Sequence, residues 1–277
     1  MAARKKPRTR KKTPSARKRS GFSIQVRILG GLTSAQQRAF QFAAAMWSKI
    51  ISADVPGIRV DGERIDDLLI EAVGTLIDGE SGILGQAGPT HLRPDSLIPV
   101  KGKMEFDRSD LARMEADGSL VSVITHEMGH VLGIGTIWED LGLLRGAGTA
   151  NPVFTGAKAM REFGVLIGEN TPTPVPVENT GGQGTRDGHW RESVFGHELM
   201  TGFLGPGANP LSRMTAASIE DMGYEVNLAH ASPYALPSHL QLSILGVWAD
   251  VQQHRCHASG YHRRGSGPIV LPRSAVI

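Results

Sequence analysis

The stretch that most limits how this chain can fold is VITHEMGHVLGIG, Val123 to Gly135. At 100° per residue, Val121, Ile124, Met128, Val131 and Leu132 fall on one side of a helix. His126 and His130 fall on the other, with Glu127 at the edge of that group. Such a helix must lay its apolar back on a core and turn its polar front toward a cleft. Asp117 to Ser119 offer start signals before Leu120, and Gly133 with Gly135 are stop signals. Imidazoles four residues apart project from one face and can bind one zinc ion from adjacent turns. Glu127 can take a proton from a zinc-activated water and pass it to a leaving amine. These parts together hydrolyse a peptide bond without a covalent intermediate.

Two histidines are an incomplete tetrahedral site, and a third protein ligand is required. The compact metzincin pattern would place a histidine at 136, where this chain has Thr136, although Gly133 stands at that pattern's glycine. A thermolysin-like site would use a downstream glutamate, with Glu162, Glu169 and Glu178 as candidates. His189 and His197 are the histidine candidates, and on residues alone the choice stays open.

The segment GHWRESVFGHELMTGF, residues 188–203, resembles the leishmanolysin-type metzincins, especially the bacterial leishmanolysin-related proteins. That family separates its zinc helix from its third histidine by an insertion of about sixty residues. It then shows a His-Trp pair and, eleven residues after the histidine, the methionine of a Glu-Leu-Met turn. Here His189-Trp190 lies 59 residues after His130, and Met200 follows His189 by eleven in Glu198-Leu199-Met200. The stretches VPVENTGGQGT and LSRMTAASIEDMGYEVN extend the likeness over roughly residues 25–235.

The resemblance implies an α+β, two-lobed metzincin-type zinc protease. Its upper lobe would hold a twisted mixed sheet with helices, and its lower lobe would be irregular. It implies His126, His130 and His189 as ligands to one catalytic Zn2+, Glu127 as general base, and support from Met200 and Gly133. The implied activity is that of a zinc metalloendopeptidase acting on protein or peptide substrates, with no organic cofactor. Metzincins commonly bind substrate as an added antiparallel strand. KMEFD, with Met104, Glu105 and Phe106, is the candidate edge for it. Trp138 and Trp190 read as packing residues. Met200 is followed by Thr201-Gly202, so no tyrosine stands just beyond the turn as an oxyanion stabiliser.

The expected organisation is a basic tail (1–20), an upper catalytic lobe (21–135), an insertion (136–188), a lower lobe (189–246) and a C-terminal tail (247–277). Within it, LTSAQQRAFQFAAAMWSKII reads as an amphipathic helix. A Thr33/Gln36 capping box would open it, and Phe40, Ala43, Ala44, Trp47 and Ile51 form its apolar stripe. IDDLLIEAVGTLIDG reads as a strand ending in a turn at Asp78-Gly79, and LIPVKGKMEFD as one or two short strands. GILGQAGPTHLRP reads as a Gly/Pro-broken loop. Short helices are expected around Ala157–Val165 and in MTAASIEDMGYEV, the latter closed by Gly223. The glycines Gly181, Gly182 and Gly184 read as loop geometry, since no strand or apolar helix flanks them.

Charge is unevenly distributed. The chain carries 30 Lys and Arg against 27 acids. Residues 1–20 hold ten of those cations and no acid, leaving a formal net of −7 on the rest. Such a tail is too polar to pack and is available for anionic surfaces. It motivates a competing reading of the chain as a catalytically silent protease-fold protein that binds nucleic acid or an anionic surface. A further alternative is the thermolysin-like zinc hydrolase with Glu162 as third ligand. No apolar stretch approaches the about 20 residues of a transmembrane span. No secretory signal pattern is seen, so a cytoplasmic or non-classically exported protein is expected. Cys256 is the single cysteine and sits in HRCHASGYH (254–262), which reads as a tail segment able to bind metal or inhibit the site.

Overall fold

A computed structural model describes residues 21–77, 83–182, 184–204, 207–238, 241, 255–258 and 267–277. The basic tail, the Asp78-Gly79 turn and most of the 254–262 cluster lie outside the described residues; of that cluster only the backbone of 255–258 is described.

The elements run β1 (Ile24–Gly30), α1 (Ser34–Ile50), β2 (Ile58–Val60), β3 (Glu63–Ile65), β4 (Leu68–Thr75), β5 (Ile83–Leu92), β6 (Pro99–Asp107), α2 (Arg108–Asp117) and α3 (Leu120–Leu132). After the histidine helix come β7 (Leu144–Arg145), β8 (Val153–Phe154), α4 (Ala157–Leu166), β9 (Val175–Pro176), α5 (Glu192–Phe195) and α6 (Arg213–Asp221). Two short C-terminal strands follow, β10 (Arg255–Ala258) and β11 (Ile269–Val270). The class is α+β, as expected, with a mixed main sheet in the order β1-β4-β6-β5. β1, β4 and β6 are parallel to one another, and β5 runs antiparallel to β6.

Alternation along β4 explains how the sheet is buried on both faces. Leu68, Ile70 and Ala72 join Met104, Phe106 and the apolar sides of α1 and α3 in the principal core. Leu69 and Val100 point the other way and pack with Ile58, Val60 and Ile65 of the β2–β3 hairpin. Burial on both faces accounts for the nearly continuous apolar run of a parallel strand. Each large apolar side chain so buried contributes about 1.5–3 kcal/mol.

Helix α1 starts at the Thr33/Gln36 capping box, both bonds of which are formed, and its stripe from Phe40 to Ile51 is buried. Trp47 ties it to the histidine helix, its indole N–H donating to the Thr125 carbonyl at 2.9 Å. Gly102 on β6 lets α3 approach the sheet, because a Cβ there would lie 2.3 Å from Val131 Cγ1.

Three expectations are corrected. GILGQAGPTHLRP is largely strand β5, not a loop. Its small residues serve tertiary contact: a Cβ on Gly85 would lie 2.8 Å from the Phe106 ring. KMEFD is no sheet edge, because β6 is hydrogen-bonded to β4 on one side and β5 on the other. Met104 and Phe106 are buried, and Glu105 pairs with Lys103. A central strand has no unpaired backbone row, so Met104, Glu105 and Phe106 cannot receive an added substrate strand. Finally, the C-terminal region contributes β10 and β11, both paired in parallel with β5, where only a tail was expected.

Candidate metal centre

The site is built on α3. Its back, Ile124, Met128, Val131 and Leu132, is buried in the core as its spacing requires. Its front is buried too: His126, Glu127 and His130 have no exposed surface. The helix ends at Gly133, whose φ of +117° places it in the left-handed region that favours glycine. Thr136, standing where the compact pattern has a histidine, instead caps the helix end, donating from Oγ1 to the His130 carbonyl at 2.8 Å.

The chain then turns at Gly135 (φ +71°), where a Cβ would lie 2.0 Å from the Gly188 carbonyl oxygen. Gly135 thus lets the segment carrying His189 pass directly beside the end of α3. His189 is fully buried, and its Nε2 lies 3.1 Å from both His126 Nε2 and His130 Nε2; the latter two are 3.0 Å apart. Among the described residues, these three histidines form a cluster able to hold a metal ion.

The other ring nitrogens show which way the imidazoles present themselves. His126 Nδ1 faces the Leu199 carbonyl at 2.6 Å, His130 Nδ1 faces Ile134 at 2.8 Å, and His189 Nδ1 faces Thr185 at 2.9 Å. Carbonyls only accept, so each Nδ1 carries the proton and donates. Each Nε2 is left with a lone pair, and the three lone pairs converge. Without protons between them, three converging lone pairs repel one another, and a cation resolves the conflict. A triangle of such edges has a circumradius of about 1.8 Å, shorter than the about 2.0–2.1 Å of a Zn–N bond, so one ion can reach all three nitrogens. All-imidazole donors with carbonyl partners behind them suit zinc.

Burial, reinforced by His189, pushes the His126 pKa down to about 3. Burial, with both neighbouring imidazoles, holds His130 well below its usual range. Both rings are therefore neutral near pH 7, the form a metal requires.

Met200 is buried beneath the helix, against Gly129. Its carbonyl accepts from the Trp190 N–H at 2.9 Å, which ties the methionine turn to the segment of His189. Trp190 stacks on Trp138 at 4.7 Å and meets Phe154 edge-on; both tryptophans are fully buried packing residues.

The rival ligands lie elsewhere. Glu162 on α4 is paired with Arg213 on α6 through two hydrogen bonds of 2.9 and 3.1 Å, which corrects the reading of it as third ligand. The Glu178 carboxylate accepts from the backbone of Asn179, Thr180 and Glu192, closing the loop before His189. Glu169 accepts from Thr173 Oγ1 at the surface. His197 lies partly exposed beside the Tyr234 ring, outside the cluster. Sequence reasoning missed Gly129, the approach of Gly135 to Gly188 and the three carbonyl partners, and none of these contacts carries a local signal.

A mixed sheet backed by a helix bearing two of three convergent histidines, with a methionine turn packed beneath, places the chain among α+β proteins with a three-histidine site able to hold a metal. The family model described as leishmanolysin, peptidase M8, matches residues 73–237, and the chain belongs to that family. A curated relative, the leishmanolysin homolog of Crithidia fasciculata, is 29% identical over 115 residues, which is 39% of this chain. The match covers 17% of that relative's length. Among the described residues, no helix is long and apolar enough to cross a membrane.

Proposed function

We propose that the protein is a zinc-dependent metalloendopeptidase that cleaves peptide bonds in protein or peptide substrates. His126, His130 and His189 hold the ion, and Glu127 is the general base. The observation that carries this reading is the convergence of three Nε2 atoms at 3.0–3.1 Å, each fixed from behind by a carbonyl. Bound there, zinc lowers the pKa of a ligated water toward about 7 and polarises a carbonyl as a Lewis acid.

The chain's own groups do the rest. Glu127 follows His126 on α3 and is buried. Its carboxylate takes a proton as the water oxygen bonds to the scissile carbonyl carbon. It then delivers that proton to the amide nitrogen, and the C–N bond breaks to release a free amine and a carboxylic acid, which gives up its remaining proton to the amine or to solvent. Leu199, Ile134 and Thr185 hold the imidazoles in the tautomer that exposes Nε2. Met200 and Gly133 support the site, one packed beneath α3 and the other ending it.

The test is cleavage of a protein substrate by wild type and Glu127→Ala, each loaded with zinc. Loss of a positioned general base costs about 10²–10⁴-fold in rate. Wild-type cleavage by Glu127→Ala at full zinc occupancy would overturn the assignment.

A further inference from the structure

Glu198 is a fully buried carboxylate that no step of the proposed chemistry uses. Its Oε2 accepts from the Met200 N–H at 2.7 Å. Its Oε1 accepts from the Ser212 N–H at 3.0 Å, from Ser212 Oγ at 2.7 Å and from Thr215 Oγ1 at 2.5 Å. Thr215 Oγ1 in turn accepts from the Trp190 indole N–H at 2.8 Å. Trp190 directly follows His189, and Leu199, whose carbonyl orients His126 Nδ1, sits between Glu198 and Met200. The start of α6 supplies the Ser212 donors and anchors the carboxylate to that helix.

We propose that Glu198 is a positioning residue for the metal centre, setting the placement of His126 and His189 through two separate arms. One arm runs through Met200 N–H to the Leu199 peptide, and so to His126. The other runs through Thr215 and Trp190 to His189. Both arms need an acceptor at Glu198, and a carboxylate alone offers acceptors at both oxygens. The inference rests on the reading that the three histidines bind zinc.

Glu198→Gln separates this role from simple packing, because it keeps the volume and shape. Three donors hold Oε1 as the oxygen, so the amide NH2 takes the Oε2 position and confronts the Met200 N–H, donor against donor. The Leu199 carbonyl then loses its fixed direction toward His126. Outer partners of metal-ligating histidines change metal affinity by about 10–100-fold.

The experiment measures zinc affinity, by competition with a chromogenic chelator, and the visible spectrum of the cobalt(II)-substituted protein. The proteins are the full chain as wild type, Glu198→Gln, Thr215→Val and Ile58→Ala. Ile58 lies in the core on the far side of the sheet, so Ile58→Ala loses stability without touching either arm. Glu198→Gln is expected to bind zinc about 10–100-fold more weakly and to shift the cobalt bands. Thr215→Val, which cuts only the His189 arm, is expected to give a smaller loss and keeps the test open if Glu198→Gln fails to fold. Ile58→Ala is expected to match wild type in affinity and spectrum.

Wild-type affinity and spectrum in Glu198→Gln, or equal weakening in Ile58→Ala, would overturn the positioning role while leaving the zinc site standing. Absence of zinc binding in wild type would overturn the site and this inference together.

Discussion

Met200 packs into the space left by the missing side chain of Gly129: a Cβ there would lie 2.8 Å from Met200 Sδ and 3.1 Å from Trp47 Cζ2. Gly129 sits between His126 and His130, so this contact seats the methionine turn under the very turn of helix that carries two of the three clustered histidines. For Gly129→Ala two effects compete. Alanine gains about 1 kcal/mol in helix propensity, whereas overpacking costs about 1–3 kcal/mol. The added Cβ would also crowd the Trp47 ring, which is held in place by its bond to the Thr125 carbonyl, so overpacking wins. Denaturant unfolding is expected to show a net loss of about 1 kcal/mol; a stabilised variant would mean that the turn yields freely.

The approach of Gly135 to Gly188 is tighter still. Gly135→Ala places a Cβ 2.0 Å from the Gly188 carbonyl oxygen at a φ of +71°. Strain and overlap together are expected to cost about 2–4 kcal/mol. Because Gly188 precedes His189, the variant is also expected to bind less zinc per chain. Unfolding by urea and metal analysis on the same sample check both. Full zinc occupancy with unchanged stability would contradict the geometry.

Glu192 gives a pH dependence of definite sign. Burial, opposed by a hydrogen bond from Thr201 and assisted by the nearby Glu178, pushes its pKa from 4.5 up to about 8. Between those values the folded chain keeps a proton that the unfolded chain releases. This group's contribution is therefore full below pH 4.5 and is lost as pH rises toward 8. Glu192→Gln removes the dependence. Its stability relative to wild type is expected to rise from pH 5 to pH 8, by up to a few kcal/mol on an order-of-magnitude scale. A pH-independent difference in unfolding midpoint would contradict this.

Glu162 tests the rejected ligand set. Its partner Arg213 is about half exposed, so the pair contributes no more than about 1 kcal/mol. Glu162→Gln is expected to keep its zinc and lose little stability. Loss of metal in that variant would reinstate Glu162 near the ion.

How much of this was legible in the sequence depended on whether the signal was local. The capping box of α1, the apolar back of α3, the Gly133 stop and the short helix before Gly223 all rest on neighbours in sequence, and all were readable. β5 was misread because Gly85, Gly88 and Pro89 look like punctuation. Their reason is tertiary: Gly85 lies against the Phe106 ring, and the β5–β6 register slips just after Pro89. Helix α2 was missed because its ten residues bury only Asp110, Leu111 and Met114, too few to show a period. His126 and His130 followed from helical spacing. His189 followed only from the family's His-Trp and methionine-turn spacing, since no local pattern distinguishes it from His197. The carbonyls of Leu199, Ile134 and Thr185 were invisible, because any residue offers a carbonyl and only the fold aims it.

The most direct test of the central claim is zinc stoichiometry. Native mass spectrometry of the zinc-reconstituted chain should find one ion per molecule in wild type and none retained at low micromolar protein in His126→Ala, His130→Ala or His189→Ala. Glu127→Ala, which keeps all three imidazoles, should hold one ion while losing cleavage. A His189→Ala protein that keeps one zinc with wild-type affinity would contradict the account.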